Sequence, residues 1–184
     1  VTIASHEFRT PLSTILSSAS LISKYKSEQD DDKRFKHVER IKSAVHNLKT
    51  ILDDFLSISK IEEGKVYNLP SSFNLVEFCQ DVVEEIQLMS KEGQKITYIH
   101  MSDDDNVHLD KQLLKNILIN LLSNAIKYSS EGKNIILSTE ISGPVVKISV
   151  KDEGIGIPET DKEHLFNPFF RAQNASNIQG TGLG

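Results

Sequence analysis

A long helical hairpin followed by an α+β two-layer sandwich is the fold this sequence predicts. Three observations carry that reading: an apolar seam at heptad spacing in the first third of the chain, a break at Gly64 and "NLPSS", and a mixed order of helices and strands after it.

The seam is clearest in the second half of the first segment. Val38, Ile41, Val45, Leu48, Leu52 and Phe55 recur at steps of 3, 4, 3, 4 and 3, and Ala44, Ile51 and Ile58 widen the line into a face. Ile3, Leu12, Ile15, Leu16, Ala19 and Ile22 make a similar stripe earlier on, and the polar "SEQDDDK" between the two stripes reads as a helix–helix connection. The first helix is expected to begin before Val1. A hairpin of this length has a broad apolar face and nothing in its own segment to bury it, so pairing with a second copy as a four-helix bundle is expected.

After the break, residues 74–92 read as a helix and "KITYIHM" (95–101) as a strand. Residues 110–128 read as a helix, and 133–141 and 145–151 as strands joined through Ser142, Gly143 and Pro144. From 152 onward the chain is rich in Gly, Asn and Phe. Two domains follow, 1–64 and 65–184.

Composition narrows the function classes. The 184 residues are 38% apolar and 26% charged, ordinary for a soluble globular protein. A net charge of −5 leaves no basic footprint for nucleic acid. Cys79 is a single cysteine, which fits a reducing, cytoplasmic compartment. No apolar run approaches the ~18 residues of a membrane span, so no membrane contact is expected of this chain. The chain opens without Met and stops at "GTGLG", so both ends read as cut, and the full-length protein is open to membrane anchoring upstream.

The second domain carries four local patterns. In "LLKNILINLLSNAIKYS", Asn120, Asn124 and Lys127 fall within about 60° of one another on the helix, opposite Leu114, Leu118, Leu121 and Ala125. Two carboxamides and an ammonium on one stripe can hold a hydrated Mg²⁺ and a phosphate chain; by itself the stripe reads first as a solvated helical face. In "VKDEGIGIP", Asp152 ends a strand, and Gly154 and Gly156 permit close backbone approach. A carboxylate there can accept from an exocyclic amine such as that of adenine, although many ordinary turns contain D-x-G-x-G. "LFNPFFRAQNASNIQGTGLG" places Phe166, Phe169, Phe170 and Arg171 before a polar stretch, then Gly180, Gly182 and Gly184. It reads as a mobile lid with backbone N–H groups for phosphate, or as a loop with hydrophobic anchors.

The order of these patterns within 65 residues resembles the ATP-binding domain of sensor histidine kinases, part of a superfamily shared with gyrase, mismatch-repair and heat-shock-chaperone ATPases. The resemblance implies ATP and Mg²⁺ as cofactors. It places Asn120 and Asn124 at metal and phosphate (with Asn124 the first choice as metal ligand), Lys127 at phosphate and Tyr128 beside the nucleotide. Asp152 would select adenine in a pocket shaped by Gly154 and Gly156, and Arg171 would point from the lid toward the transferring phosphate. In the family this domain continues past the glycine motif, so the sandwich is expected to be incomplete at the C-terminus.

"SHEFRTPL", residues 5–12, resembles the phosphoacceptor box of the same kinases, on the first helix of a dimeric hairpin. A neutral imidazole at His6 is a usable nucleophile when one nitrogen is free, and Glu7 can accept the Nδ1–H and fix the tautomer. The resemblance implies autophosphorylation of His6, transfer to an aspartate of a response-regulator receiver domain, and a role for Thr10, with Glu7, in the opposing phosphatase activity. "HEFRT" is no zinc motif, because Thr10 stands where HExxH needs its second His. Pro11 costs its helix about 3 kcal/mol and reads as a bend below the histidine. A degenerate kinase that only dimerises and docks receivers would lack Asp152 or Asn124. A chaperone-like clamp would carry a catalytic Glu at position 120.

Overall fold

The heptad spacing of the first segment folds as two helices, α1 (Thr2–Ile22) and α2 (Asp31–Glu62), packed along each other. The structure is a computed structural model that describes residues 2–27, 30–62, 64, 67–167, 170–175 and 178. It has two compact units, one built on this hairpin and the other on Tyr67–Leu165 with the segment from Arg171.

The covered line of α2 runs through Arg34, His37, Ile41, Ala44, Leu48 and Ile51, again at steps of 3 and 4. Val38, Val45, Leu52 and Phe55, which the sequence places in the seam, stay exposed, as do Leu12 and Leu16 on α1. The apolar face is two lines wide and one neighbouring helix covers only one of them. On α1 the covered line is Phe8, Pro11, Ile15, Ser18 and Ile22. The helix runs unbroken through Pro11. Ser18 Oγ lies 3.4 Å from His37 Nδ1 across the hairpin. At the turn, the Tyr25 ring stacks on His37 at 5.8 Å, and Arg34 donates to the Tyr25 carbonyl at 2.9 Å.

In the second unit, β2 (Lys95–His100), β4 (Asn134–Ser142) and β5 (Val145–Lys151) form one sheet in the order β2-β4-β5. β2 runs parallel to β4, and β4 and β5 form an antiparallel hairpin closed at Ser142↔Val145, where Gly143 takes φ +57°. The helices α3 (Leu75–Gln87) and α4 (Lys111–Tyr128) pack on this sheet. Their shared core includes Leu75, Val82, Leu118, Leu122, Ile135 and Leu137.

Three features depart from the sequence reading. Two four-residue strands, β1 (Ser71–Asn74) and β3 (Asn106–Leu109), pair antiparallel as a separate sheet; "SSFN" and "NVHL" are too short and polar to show a period of two. α3 stops at Gln87, leaving Leu88 and Met89 exposed before the turn at Gly93, whose φ is +72°. On α4, Leu122 rather than Leu121 joins the core, and Leu121 is exposed. The sheet sits on the side that Leu122 shares with Leu118, four residues earlier.

A polar chain crosses the core. Tyr98 and Thr139 hydroxyls lie 2.7 Å apart, Thr139 Oγ1 is 2.8 Å from His100 Nδ1, and His100 Nε2 is 3.0 Å from the Asp104 carbonyl. That carbonyl can only accept, so a neutral His100 carries its proton on Nε2, Thr139 donates to Nδ1, and Tyr98 donates to Thr139. Burial pushes the Tyr98 hydroxyl up to about 12 and the Cys79 thiol up to about 11.

Candidate functional site

The site is built on α4. Asp110 caps its N-terminus: Oδ1 accepts from the Leu113 and Gln112 amides, each at 2.9 Å, and Oδ2 from the Leu69 amide at 2.7 Å. These bonds, Leu113 foremost and then Leu69, hold the carboxyl below its ordinary range. With the apolar side of α4 fixed on the sheet, Asn120, Asn124 and Lys127 lie on the opposite side. Asn120 is exposed, and Asn124 and Lys127 are half-buried. Among the described residues neither carboxamide has a hydrogen-bond partner and Lys127 is in no ion pair. The Lys127 ammonium stands 4.8 Å from the centre of the Tyr128 ring.

The turn after β5 docks on the last turn of α4. Ser129 and Gly154 form an antiparallel bridge, and the Ile155 amide donates to the Tyr128 carbonyl at 3.2 Å. Gly154 is required there, because a Cβ would lie 2.7 Å from the Tyr128 carbonyl oxygen and 2.7 Å from Asp152 Oδ1. Gly156 has φ +67°. Asp152 Oδ1 accepts from the Gly154 amide at 2.8 Å, and its other oxygen is unengaged among the described residues. A cavity of about 460 Å³ opens where the two segments meet, lined by Lys91, Lys127, Tyr128, Ser129, Ile155 and Ile178 among others.

The segment after this turn is tied down. Asp161 is buried and accepts from the Gln173 amide at 2.9 Å, and Asn174 Nδ2 donates to the carbonyls of Ile155 at 3.2 Å and Gly156 at 3.0 Å. Arg171 donates to the carbonyls of Ala175, at 2.8 Å, and Ile178. Its guanidinium therefore organises the backbone of its own segment here. Gly180, Gly182 and Gly184, and Phe169, lie outside the described residues. In the hairpin, α1 carries His6 and Glu7, whose side chains are also outside them; Thr10 is exposed, and its carbonyl accepts from the Thr14 hydroxyl at 3.1 Å.

The structure thus brings Lys127, Tyr128, Gly154 and Asp152 together around the α4 terminus, with Asn124 one turn and Asn120 two turns back along the same helix. Lys91, Gln94, Asp161 and Asn174 join this region without any sequence signal, since none belongs to a periodic or spaced pattern. The donor set fits a nucleotide with Mg²⁺: unengaged amide oxygens are hard ligands suited to a cation that keeps waters and phosphate oxygens, with an ammonium and a carboxylate nearby. Among the described residues no cage of three or more His, Cys, Asp or Glu side chains offers another metal site.

Residues 1–64 match the His Kinase A (phospho-acceptor) domain, and residues 109–184 match the histidine kinase-, DNA gyrase B- and HSP90-like ATPase family. The sensor histidine kinase WalK of Bacillus subtilis is 33% identical over 98% of this chain. Histidine kinase ThkA, solved in complex with response regulator protein TrrA, is 26% identical with a TM-score of 0.69, covering 91% of this chain and 48% of that one. The catalytic domain of ThkA alone is 34% identical with a TM-score of 0.53, over 63% of this chain and 74% of that one. Full-length ShkA in complex with AMPPNP has a TM-score of 0.69 at 25% identity, over 97% of this chain and 37% of that one. The chain spans 30% of the length of WalK, and 35% or less of the other curated relatives compared. Its hairpin and its mixed sheet are those of a histidine kinase catalytic core, and the chain belongs to the sensor histidine kinase family.

Proposed function

We propose that the chain binds ATP with Mg²⁺, phosphorylates His6, and passes the phosphoryl group to an aspartate on a response-regulator receiver domain. The observation that carries this reading is the docking of the Asp152–Gly156 turn on the end of α4. Among the described residues one Asp152 oxygen and the Asn120 and Asn124 carboxamides have no hydrogen-bond partner, and the Lys127 ammonium, in no ion pair, stands over the Tyr128 ring at the end of the same helix. Asp152 accepts from the adenine amine, and Tyr128 lies beside the base. Asn124, with Asn120, holds Mg²⁺, which neutralises phosphate charge when bound. Lys127 meets the phosphates, and Gly180, Gly182 and Gly184 supply backbone N–H groups. Arg171 belongs to the lid and turns toward the transferring phosphate when the nucleotide is in place.

His6 Nε2 donates its lone pair to the γ-phosphorus while the bond to the β–γ bridging oxygen breaks, and ADP leaves. Glu7 accepts the Nδ1–H, which keeps Nε2 free and offsets the charge that grows on the ring. The receiver's carboxylate then takes the phosphoryl group from nitrogen. Thr10 orients a water for the reverse task, hydrolysis of the receiver's phosphoaspartate. Residues 1–64 act as phosphoacceptor and dimerisation domain and 65–184 as ATP-binding domain. The dimer interface is the exposed line of Leu12, Leu16, Val38, Val45 and Leu52. No helix among the described residues is long and apolar enough to cross a membrane; the reaction's place is the cytoplasm, where ATP and receivers are.

Incubation with Mg²⁺ and γ-labelled ATP, beside a chain extended past Gly184, tests the reading. Acid-labile, base-stable label that disappears in His6→Gln and in Asp152→Asn is expected. An extended protein that binds nucleotide yet takes up no label would overturn it.

A further inference from the structure

Helix α4 ends beside the cavity lined by Lys127, Tyr128 and Ser129, and two residues outside every motif bond to carbonyls at and just past its end. Lys91 Nζ donates to the Lys127 carbonyl at 2.8 Å and the Ser129 carbonyl at 2.6 Å. The Gln94 side chain is buried, and its Nε2 lies 3.1, 3.1 and 3.0 Å from the carbonyls of Ile126, Ser129 and Ser130. Gln94 Oε1 accepts from the Lys91 amide at 2.9 Å, and Gln87 ties the pair to β2, donating to the Gln94 carbonyl at 3.0 Å and accepting from the Ile96 amide at 2.8 Å. Next to them, Gly93 packs on Gly132 so closely that a Cβ would come within 3.2 Å of Gly132 Cα.

Helix C-terminal carbonyls carry partial negative charge and normally face solvent or a cation. Here a polyphosphate is expected nearby, so uncovered carbonyls would repel the ligand. An ammonium and an amide placed on them remove that repulsion and fix the residues that make the site, since Lys127 and Tyr128 belong to the same turn. The same turn also takes the Ile155 amide on the Tyr128 carbonyl and the Ser129–Gly154 bridge. The last turn of α4 is thus clasped by both the Lys91–Gln94 pair and the D-x-G-x-G turn, and Lys91 and Ile155 line the same cavity. We propose that Lys91 and Gln94 are positioning residues of the nucleotide site, setting the place of Lys127, Tyr128 and the Ser129–Gly154 bridge. This rests on the nucleotide reading above.

Calorimetric titration with MgADP separates the two claims. The wild-type protein is expected to bind; absence of binding by a folded, extended wild-type chain overturns the nucleotide reading and this inference with it. With binding established, Lys91→Met is expected to weaken MgADP about five- to tenfold, the scale of one ordinary net hydrogen bond. Lys91→Arg is expected to restore most of it. Unchanged affinity in a folded Lys91→Met protein overturns the inference alone. Amide hydrogen exchange on the wild type needs no variant. MgADP is expected to slow exchange at Lys91, Gln94 and Ser129 in step with Gly154 and Ile155, and protection confined to 152–156 would contradict the clasp.

Discussion

At the scale of single residues, the site depends on atoms that approach too closely for substitution. Gly154 has no room for a methyl group, with two oxygens 2.7 Å from where it would sit. Gly154→Ala is expected to push the turn off α4, at about 1–3 kcal/mol of stability, and to abolish measurable MgADP binding by calorimetry. Cys79 makes the opposite kind of prediction. It is buried, and burial raises its thiol to about 11, so a thiol reagent at pH 8 is expected to leave it untouched until denaturant is added. For an acid whose folded pKa is raised, the contribution to stability is complete below the unfolded value, near 9 for this thiol, and fades as pH rises through about 11. Denaturant midpoints of Cys79→Ala and wild type, compared from pH 8 to 11, read that difference. That Asp152, Gly154, Asn124 and Lys127 come near one another at the end of α4 is legible in the sequence, because they fall in spaced motifs. The part played by Gln94 and Asn174 is not, because a side chain that bonds to backbone carbonyls needs only the right place in space.

At the scale of elements, α4 is the scaffold, and each of its ends is tied to a segment distant in sequence. Asp110 joins its N-terminus to Leu69, 41 residues away. The carboxyl is held below its ordinary range by amide donors, so it stabilises the fold above the unfolded carboxylate value near 4, and that support is lost as pH falls through the lower folded value. Asp110→Asn is expected to lower Tm by a few degrees at pH 7, with the gap to wild type closing in acid; a gap independent of pH would contradict the capping account. The long elements followed from periodicity, whereas β1 and β3 did not, because each is only four residues long and is defined by the other across the fold. α3 ends earlier than its sequence pattern predicts for a related reason. "LMSKEGQ" has the composition of a helix, but Gln94 is committed to α4 and Gly93 to its contact with Gly132.

At the scale of the molecule, the hairpin alone leaves half of its apolar face uncovered. The heptad pattern showed that a face existed but could not say which line α1 would take, since Ala44 and Ile51 on one line and Val45 and Leu52 on the next are equally apolar. The covered line holds Pro11, Ser18 and Ala44 beside Phe8, Ile15, Ile41, Leu48 and Ile51, whereas Val45, Leu52, Leu12 and Leu16 stand outside. Val45→Glu with Leu52→Glu is expected to convert a dimer to a monomer in sedimentation equilibrium while leaving MgADP affinity within about twofold. A dimer that survives both charges would place the interface elsewhere. The central claim, that His6 is the phosphoacceptor, is tested most directly by locating the phosphate. After incubation with Mg²⁺ and ATP, a chain extended past Gly184 is digested under basic conditions and its phosphopeptides are sequenced by mass spectrometry. The account predicts a phosphoramidate on the peptide spanning Ser5, His6 and Glu7; phosphate on a serine, threonine or another histidine, with none on His6, would contradict it.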